Sequence, residues 1–256
     1  MAQTNSKFFS VMVVGEDPKT IMEDYWIDKK VEPYVKFKFL QAGKYKDSAI
    51  KVSQKLLEDA SLAMINPQMK SALEENVKRL KSLSTFDYYR QLTDGMYYDE
   101  EGNALSEKNP NGKWKTCHIG RNFSIPLKLK DGSERYYATN SEIDWGKMHL
   151  ANQEVYRAAW EIVVEGREPE NETEERIYTS MKDKEAYFSK FKDKDAYVNY
   201  STAYWNYAYV DKEQGWVDIN ESDETTWIGN FYDRFVLNLK PDDKVSIYEC
   251  TTNDDD

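Results

Sequence analysis

The chain has 256 residues, of which 40% are hydrophobic and 14% aromatic, with 11 Gly and 7 Pro. This composition predicts a folded chain with a substantial core and excludes a largely disordered one. The formal net charge is −11, which argues against direct nucleic-acid binding through a basic surface.

The first part of the chain predicts two strands followed by helices. Phe8–Val14 is an apolar run of strand length, which is typical of a buried strand. Asp17 followed by Pro18 is a typical helix start. Val31–Leu40 alternates between apolar and polar residues and predicts a second, edge-like strand. Apolar residues at helical spacing then predict a helical layer over about residues 44–92.

The second part predicts hairpins, helices and a closing strand. Turn sequences rich in Asn, Asp and Gly divide a β-meander over about residues 93–140. Asp144–Glu165 has an apolar stripe and predicts the longest helix, which opens a helical region over about residues 144–200. A β-hairpin, a helix and a final strand are expected over residues 201–250.

These elements together predict an α+β fold. Strands and helices interleave along the chain, but hairpins join most of the strands, so the sheet is expected to be mainly antiparallel with helices packed on it. The length is compatible with one large domain or two small ones. We interpret residues 1–256 as a single α+β domain.

Cysteine content and the N-terminus bear on the compartment. Cys117 and Cys250 are the two cysteines, too few for a disulfide framework or a zinc site. The first residues lack a signal-peptide pattern, and no stretch of the sequence is long and apolar enough for a membrane span. The sequence therefore predicts a cytosolic protein with two free thiols.

Several kinds of catalytic site lack their residues. His118 and His149 are the two histidines, and neither lies in a triad or zinc-peptidase motif. In a strand, Cys117 and His118 would point to opposite faces, so they cannot pair with each other. A P-loop and a dinucleotide-binding glycine motif are also absent from the sequence. We predict no catalytic residues, no cofactor and no bound metal.

Aromatic and arginine side chains near turns are the candidate binding residues. Trp114, Arg121 and Trp216 are predicted to line one pocket, with Tyr204 and Arg234 as further candidates. An indole can stack on a planar group, while a guanidinium can bind phosphate or carboxylate with two hydrogen bonds. The alternative is that these aromatic residues pack in the core, as alternating strand aromatics often do.

Short motifs run through nearly the whole chain. They include Asn109-Pro-Asn-Gly-Lys-Trp114, Ile119-Gly-Arg121, Tyr232-Asp-Arg-Phe235 and Leu239-Lys-Pro-Asp-Asp243. These motifs resemble a widespread family of uncharacterised bacteriophage proteins, including members from large gut phages. The family pattern has a Trp where this chain has Asn122, and members often end in an Asp-Cys-His-Ile strand, where this chain has Glu249-Cys250-Thr251 without the histidine. The resemblance implies a phage product in an infected bacterium and no particular activity.

Three functions follow as hypotheses. The first is a non-enzymatic phage accessory protein that binds a small nucleotide-like or anionic ligand, as a counter-defence sponge would. The second is a phage component that binds a protein, either as a virion structural protein or as an inhibitor of a host protein, because Tyr and Trp are common interface anchors. The third is an enzyme of unrecognised type. The expected location is the host cytoplasm, with the virion as the alternative.

Overall fold

The structure is a computed structural model that describes residues 8–58, 67–121, 124–172, 174–175 and 184–252. Within it the chain divides into two compact units: residues up to Lys29 together with those from Pro110 onward, and Lys30–Asn109. The interpretation of residues 1–256 as a single domain stays a prediction, because a compact unit need not fold independently.

The described strands and helices occupy the following residues. The strands are β1 (Phe8–Val14), β2 (Lys30–Phe37), β3 (Tyr97–Tyr98), β4 (Ala104–Lys108), β5 (Thr116–Ile119), β6 (Leu127–Lys128), β7 (Glu134–Arg135), β8 (Tyr137–Thr139), β9 (Ala208–Asp211), β10 (Gly215–Asp218) and β11 (Lys244–Thr251). The α-helices are α1 (Pro18–Glu23), α2 (Ala42–Glu58), α3 (Pro67–Ser82), α4 (Thr85–Leu92), α5 (Gln153–Val163), α6 (Lys184–Phe188), α7 (Lys194–Thr202) and α8 (Glu224–Phe231).

The larger unit is built on a sheet of six described strands in the order β10-β9-β1-β11-β5, with β8 also paired to β11. The β1–β9 pair is parallel and the others are antiparallel. The α+β class with a mainly antiparallel sheet is therefore confirmed. β1 and β11 are neighbours, from Phe8 opposite Thr251 to Val14 opposite Val245.

β1 and β11 lie inside this sheet, with strands on both sides, and both of their faces are covered. On one face, Met12 and Ile247 pack with Phe231 and Phe235 from the last helical segment. On the other face, the neighbouring strand residues pack with α1. Strands that are buried on both faces read as continuous apolar runs, and this explains why Phe8–Val14 was recognisable from sequence.

The smaller unit combines the three-stranded sheet β2-β4-β3 with helices α2, α3 and α4. These helices lie within the predicted helical layer. The predicted β-meander, in contrast, is distributed over three sheets. β3 and β4 belong to the smaller unit, β5 and β8 join the six-stranded sheet, and β6 pairs with β7 alone.

The prediction of one long helix over Asp144–Glu165 is wrong. Asp144 caps a short 3₁₀ turn, and the α-helix starts at Gln153. Leu150 and Asn152 between them have left-handed backbone angles, with φ of 54° and 56°. The N–H of Leu150 donates to the carbonyl oxygen of Thr202, so a tertiary contact replaces the helical hydrogen bond.

Candidate functional site

The segment after α1 crosses one face of the six-stranded sheet and meets the chain before β5. The carbonyl oxygen of Tyr25 accepts the N–H groups of Lys113 (2.7 Å) and Trp114 (3.3 Å). In return, the N–H of Ile27 donates to the carbonyl oxygen of Trp114 (2.8 Å). Residues 25–27 and 113–115 are therefore fixed together although they are far apart in sequence.

This pairing brings two indoles into contact. The rings of Trp26 and Trp114 stack with centroids 6.3 Å apart and planes 23° apart. Trp26 Nε1 donates to the carbonyl oxygen of Lys115 (3.1 Å), and Trp114 Nε1 donates to that of Met22 (3.0 Å). Trp26 remains 38% exposed, so part of its ring is available to a ligand.

The indole pair lies in a groove of about 700 Å³, which we call the indole groove. Its lining residues are Lys19, Met22, Glu23, Trp26, Lys29, Trp114, Lys115, Thr116, Cys117, His118 and Tyr248. This size is within the range of small-molecule sites. Apolar and aromatic side chains supply much of the lining, and its charged side chains are three lysines and Glu23.

Two of these lysines are held by aspartates near the groove. Lys29 Nζ is 2.6 Å from Asp24 Oδ1, and Lys115 Nζ is 2.6 Å from Asp28 Oδ2. Solvent-exposed ion pairs of this kind are worth about 0–1 kcal/mol. A ligand anion could therefore replace either aspartate at little cost. Within the described ranges, Lys19 has no ion-pair partner.

Two hydroxyl groups belong to the lining. Thr116 Oγ1 is buried and has no hydrogen-bond partner among the described residues, and a buried polar atom of this kind is uncommon. Burial, with a smaller contribution from Asp17, raises the pKa of the Tyr248 phenol. The Tyr248 hydroxyl is therefore protonated at neutral pH.

The two cysteines form a disulfide beside the groove. Cys117 on β5 lies opposite Cys250 on β11, and the two residues are bonded. The prediction of two free thiols is wrong for this structure. The two residues are 133 positions apart in sequence, and only the antiparallel pairing of β5 with β11 makes them neighbours.

The other predicted tryptophan and tyrosine lie outside the indole groove. Trp216 lines a separate cavity, where its Nε1 donates to Asp218 Oδ2 (2.9 Å). Tyr204 is buried in the core, with its ring 5.2 Å from that of Trp145 and its hydroxyl accepting from Asn206 Nδ2 (3.0 Å). Trp114 is therefore the one predicted residue that lines the indole groove.

The two predicted arginines line neither the indole groove nor the Trp216 cavity. Arg121 is exposed after Gly120, where any side chain would overlap the Tyr136 ring at 2.1 Å. Arg234 lies 4.8 Å from the Phe235 ring centroid, and its Nη2 is 3.1 Å from a carboxylate oxygen of Glu221. The structure therefore does not bring the five residues together in one pocket; that they bind a ligand stays a prediction.

Sequence reasoning missed Trp26, Lys19 and Lys115. The only signal for Trp26 was a pair of adjacent large aromatic residues directly after a capped helix. Nothing in the sequence indicated that this pair would meet the chain before β5. Lys19 gave no signal because acidic residues surround it in the sequence, whereas Lys115 lies in the stretch 108–130, which contains no Asp or Glu and was a detectable basic signal.

The two histidines lie in different surroundings. The Nδ1 of His149 accepts the N–H of Tyr204 (3.2 Å), and its ring stacks on Tyr232 at 3.7 Å. Burial lowers the pKa of His149, and nearby Asp233 opposes this shift. His118 is exposed on β5. Across the described ranges, no three His, Cys, Asp or Glu side chains converge on a metal position; the absence of a metal stays a prediction.

Comparisons with known proteins identify no relative of this chain. The chain matches no protein-family model, no curated protein and no solved structure. The resemblance to bacteriophage proteins therefore stays a prediction. In the part of the chain that the structure describes, none of the helices has the length and apolar character to span a membrane.

Proposed function

We propose that this protein is a non-enzymatic bacteriophage accessory protein that binds a small, planar, anionic or nucleotide-like ligand in the indole groove. The observation that carries the proposal is the stacked pair Trp26–Trp114 beside three lysines. A base can stack on the exposed part of Trp26, while a phosphate or carboxylate contacts the lysines.

The acidic character of the chain is compatible with an anionic ligand. At physiological ionic strength, exposed charges more than about 8 Å apart are largely screened. The charges at the groove, which are three lysines, Glu23 and the paired Asp24 and Asp28, therefore affect the ligand more than the net charge of −11 does. Charged hydrogen bonds contribute about 1.5–3 kcal/mol each, and stacking of a base on an aromatic ring about 1–3 kcal/mol.

Binding without catalysis fits the side chains at this groove. Neither histidine has a nucleophile or an acid–base partner among the contacts described above. A protein of this kind acts by sequestering its ligand, as a counter-defence sponge does in the cytoplasm of the infected bacterium. This role rests on the resemblance to phage proteins as well as on the groove.

The test is calorimetric titration of the full chain with a panel of cyclic and linear nucleotides. Trp26→Ala removes the exposed indole and should weaken binding by roughly 5- to 150-fold, the equivalent of one base–aromatic stack. Lys115→Ala should weaken it by roughly 10-fold or more through loss of a charged contact. Thermal melts establish that each variant is folded.

Two further variants make the test specific. Lys147→Ala removes an exposed lysine that is paired with Asp144 outside the groove, and it should leave binding unchanged. Arg121→Ala distinguishes the indole groove from the pocket expected from sequence. If Arg121→Ala weakens binding while Trp26→Ala does not, or if no nucleotide binds, the groove is not the site.

A protein-binding role in the virion is the second candidate. Disulfides persist in oxidising environments, which include virion surfaces, and the Cys117–Cys250 bond fits that setting better than the cytoplasm. In addition, Lys30–Asn109 carries exposed apolar residues such as Leu40, which is 96% exposed, and exposed apolar patches mark interaction surfaces. Mass spectrometry of purified virions tests this role: the chain should be present and oxidised, and its absence would contradict the role.

A further inference from the structure

A second cavity of about 740 Å³ lies in the larger unit and shares no lining residue with the indole groove. We call it the aromatic cavity. Its lining residues are Phe8, Phe9, Ser10, Ile27, Gly112, Lys113, Ile125, Trp205, Asn206, Tyr207, Trp216, Asp218, Asn220 and Thr252. Most of them come from the start of β1, the chain before β5, the entry to β9, and β10 with its following turn, and Ile27, Ile125 and Thr252 lie outside these segments.

The charged side chains in the lining of the aromatic cavity are Lys113 and Asp218, which form an ion pair with each other. Lys113 Nζ is 3.6 Å from Asp218 Oδ2, and the Asp218 side chain is only 12% exposed. Asp218 also accepts from Trp216 Nε1 (2.9 Å) and from the backbone and side-chain N–H groups of Asn220 (both 3.0 Å). Among the described lining residues there is no other acidic or basic side chain. The cavity therefore favours a neutral ligand.

Asp218 holds the side chain of Asn220 beside the Tyr207 hydroxyl, so that the acceptor Asn220 Oδ1 and the Tyr207 donor lie close together. The side-chain N–H₂ of Asn220 donates to Asp218 Oδ1 and also to the Tyr207 hydroxyl oxygen (3.1 Å). Both amide hydrogens are thus used, and within the described ranges Asn220 Oδ1 has no donor. The Tyr207 proton likewise has no acceptor there. A ligand hydroxyl can accept from Tyr207 and donate to Asn220, because a hydroxyl does both.

The aromatic rings of the cavity are tilted and not parallel. The ring of Phe9 lies 4.9 Å from Tyr207 at 48°, and 6.4 Å from Trp216 at 80°. These rings offer no parallel slot for a flat base. The faces of aromatic rings are negatively polarised, so they attract the C–H groups of a saturated, oxygen-bearing ring from different directions.

We propose that the aromatic cavity binds a neutral saccharide, in a site separate from the indole groove. The tilted rings contact C–H groups of the sugar, and Tyr207 with Asn220 binds its hydroxyl groups. The volume is within the range of about 300–1,000 Å³ that is typical of small-molecule sites. The proposal does not depend on nucleotide binding in the indole groove.

The experiment is saturation-transfer NMR on the full chain with maltose, cellobiose, lactose and N,N′-diacetylchitobiose at millimolar concentration. At least one of the four should receive saturation at its ring C–H protons. Tyr207→Phe and Asn220→Ala should each weaken the binding of that saccharide by about 2- to 10-fold, the effect of one hydrogen bond. Tyr207→Phe removes a single oxygen, so it tests the site even if Asn220→Ala fails to fold.

The control is Tyr137→Phe, the same chemical change at an exposed tyrosine of β8 outside the cavity. It should leave saccharide binding unchanged. Three results would overturn the proposal: no signal from any of the four saccharides, signals unaffected by both cavity variants, or displacement of the saccharide by AMP, which would merge the two sites into one.

Discussion

The two compact units differ in how completely their strands are buried. In the larger unit, Val11, Met12 and Val13 of β1 have no exposed surface, because apolar side chains cover both faces of the sheet. In the smaller unit, β2 keeps mostly exposed positions along its whole length. Buried apolar area is the main favourable term in folding. We therefore infer that most of the stability resides in the larger unit.

A buried tyrosine hydroxyl joins the elements of the smaller unit. Its buried cluster consists of Ala42, Tyr89 and Ala104, with Phe37 and Met96 packed against it. The Tyr89 hydroxyl is within hydrogen-bond distance of the carbonyl oxygens of Phe37 (2.9 Å) and Gly102 (3.1 Å), and it accepts the N–H of Ala104 (2.9 Å). One side chain thus links a helix to two strands. Removing an aromatic ring from the core should destabilise mainly the larger unit. Removing the Tyr89 hydroxyl should destabilise mainly the smaller unit.

The largest expected effect is in the core of the larger unit. Phe231 is almost fully buried between Trp227 and Phe235. Phe231→Ala should lower the free energy of unfolding by about 3–5 kcal/mol, through lost burial and the cavity left behind. Urea denaturation measures this loss. The control Phe86→Ala changes an exposed ring of the smaller unit and should cost much less; equal losses would contradict the comparison.

A smaller effect is expected from Tyr89→Phe in the smaller unit. The substitution keeps the ring but leaves the buried N–H of Ala104 without its acceptor. An unsatisfied buried donor costs about 1–3 kcal/mol. Hydrogen exchange measures the effect locally, as faster exchange of amides in α4 and β4. Exposed Tyr97→Phe is the matched control, and unchanged exchange in Tyr89→Phe would show that packing alone holds this unit.

The smallest expected effect is a pH dependence from the larger unit. Because burial lowers the pKa of His149 in the folded state, the unfolded chain binds a proton at higher pH than the folded chain does. The free energy of unfolding should therefore decrease as the pH falls through the unfolded-state pKa of about 6.5 and towards the lower pKa of the folded state.

The urea midpoint between about pH 7.5 and about pH 5 measures this pH dependence. His149→Gln should flatten the profile, whereas His118→Gln at an exposed position should not. A wild-type profile that rises as the pH falls over this range would contradict the predicted sign.

Sequence patterns predicted the parts of the fold that are encoded locally. β1 follows from a short apolar run, and α1 follows from Asp17, which accepts the N–H of Thr20 (3.2 Å). The helix over Asp144–Glu165 failed because the apolar stripe continues through a segment whose backbone is set by tertiary contacts. The hydrogen bond from Leu150 to Thr202 could not be read from the stripe.

The candidate sites were less predictable than the fold. Trp114 and Trp216 were identified as binding candidates because large aromatics near turns are a local feature. Their separation into two cavities depends on the segment after α1, which places Tyr25 against Trp216 (5.2 Å) and Trp26 against Trp114 (6.3 Å). Contacts of this kind join residues about 90 to 190 positions apart, and no local pattern encodes them.

The position of β11 has a consequence for biosynthesis. A ribosome makes β1 first, yet β11, its antiparallel neighbour at the centre of the sheet, is made after every other described strand. Until Lys244–Thr251 leaves the exit tunnel, β1 and β5 lack this partner, and unpaired strand edges are prone to aggregation. The larger unit therefore completes its sheet only after Lys244–Thr251 has been synthesised, and the strands made before it must avoid aggregation until then.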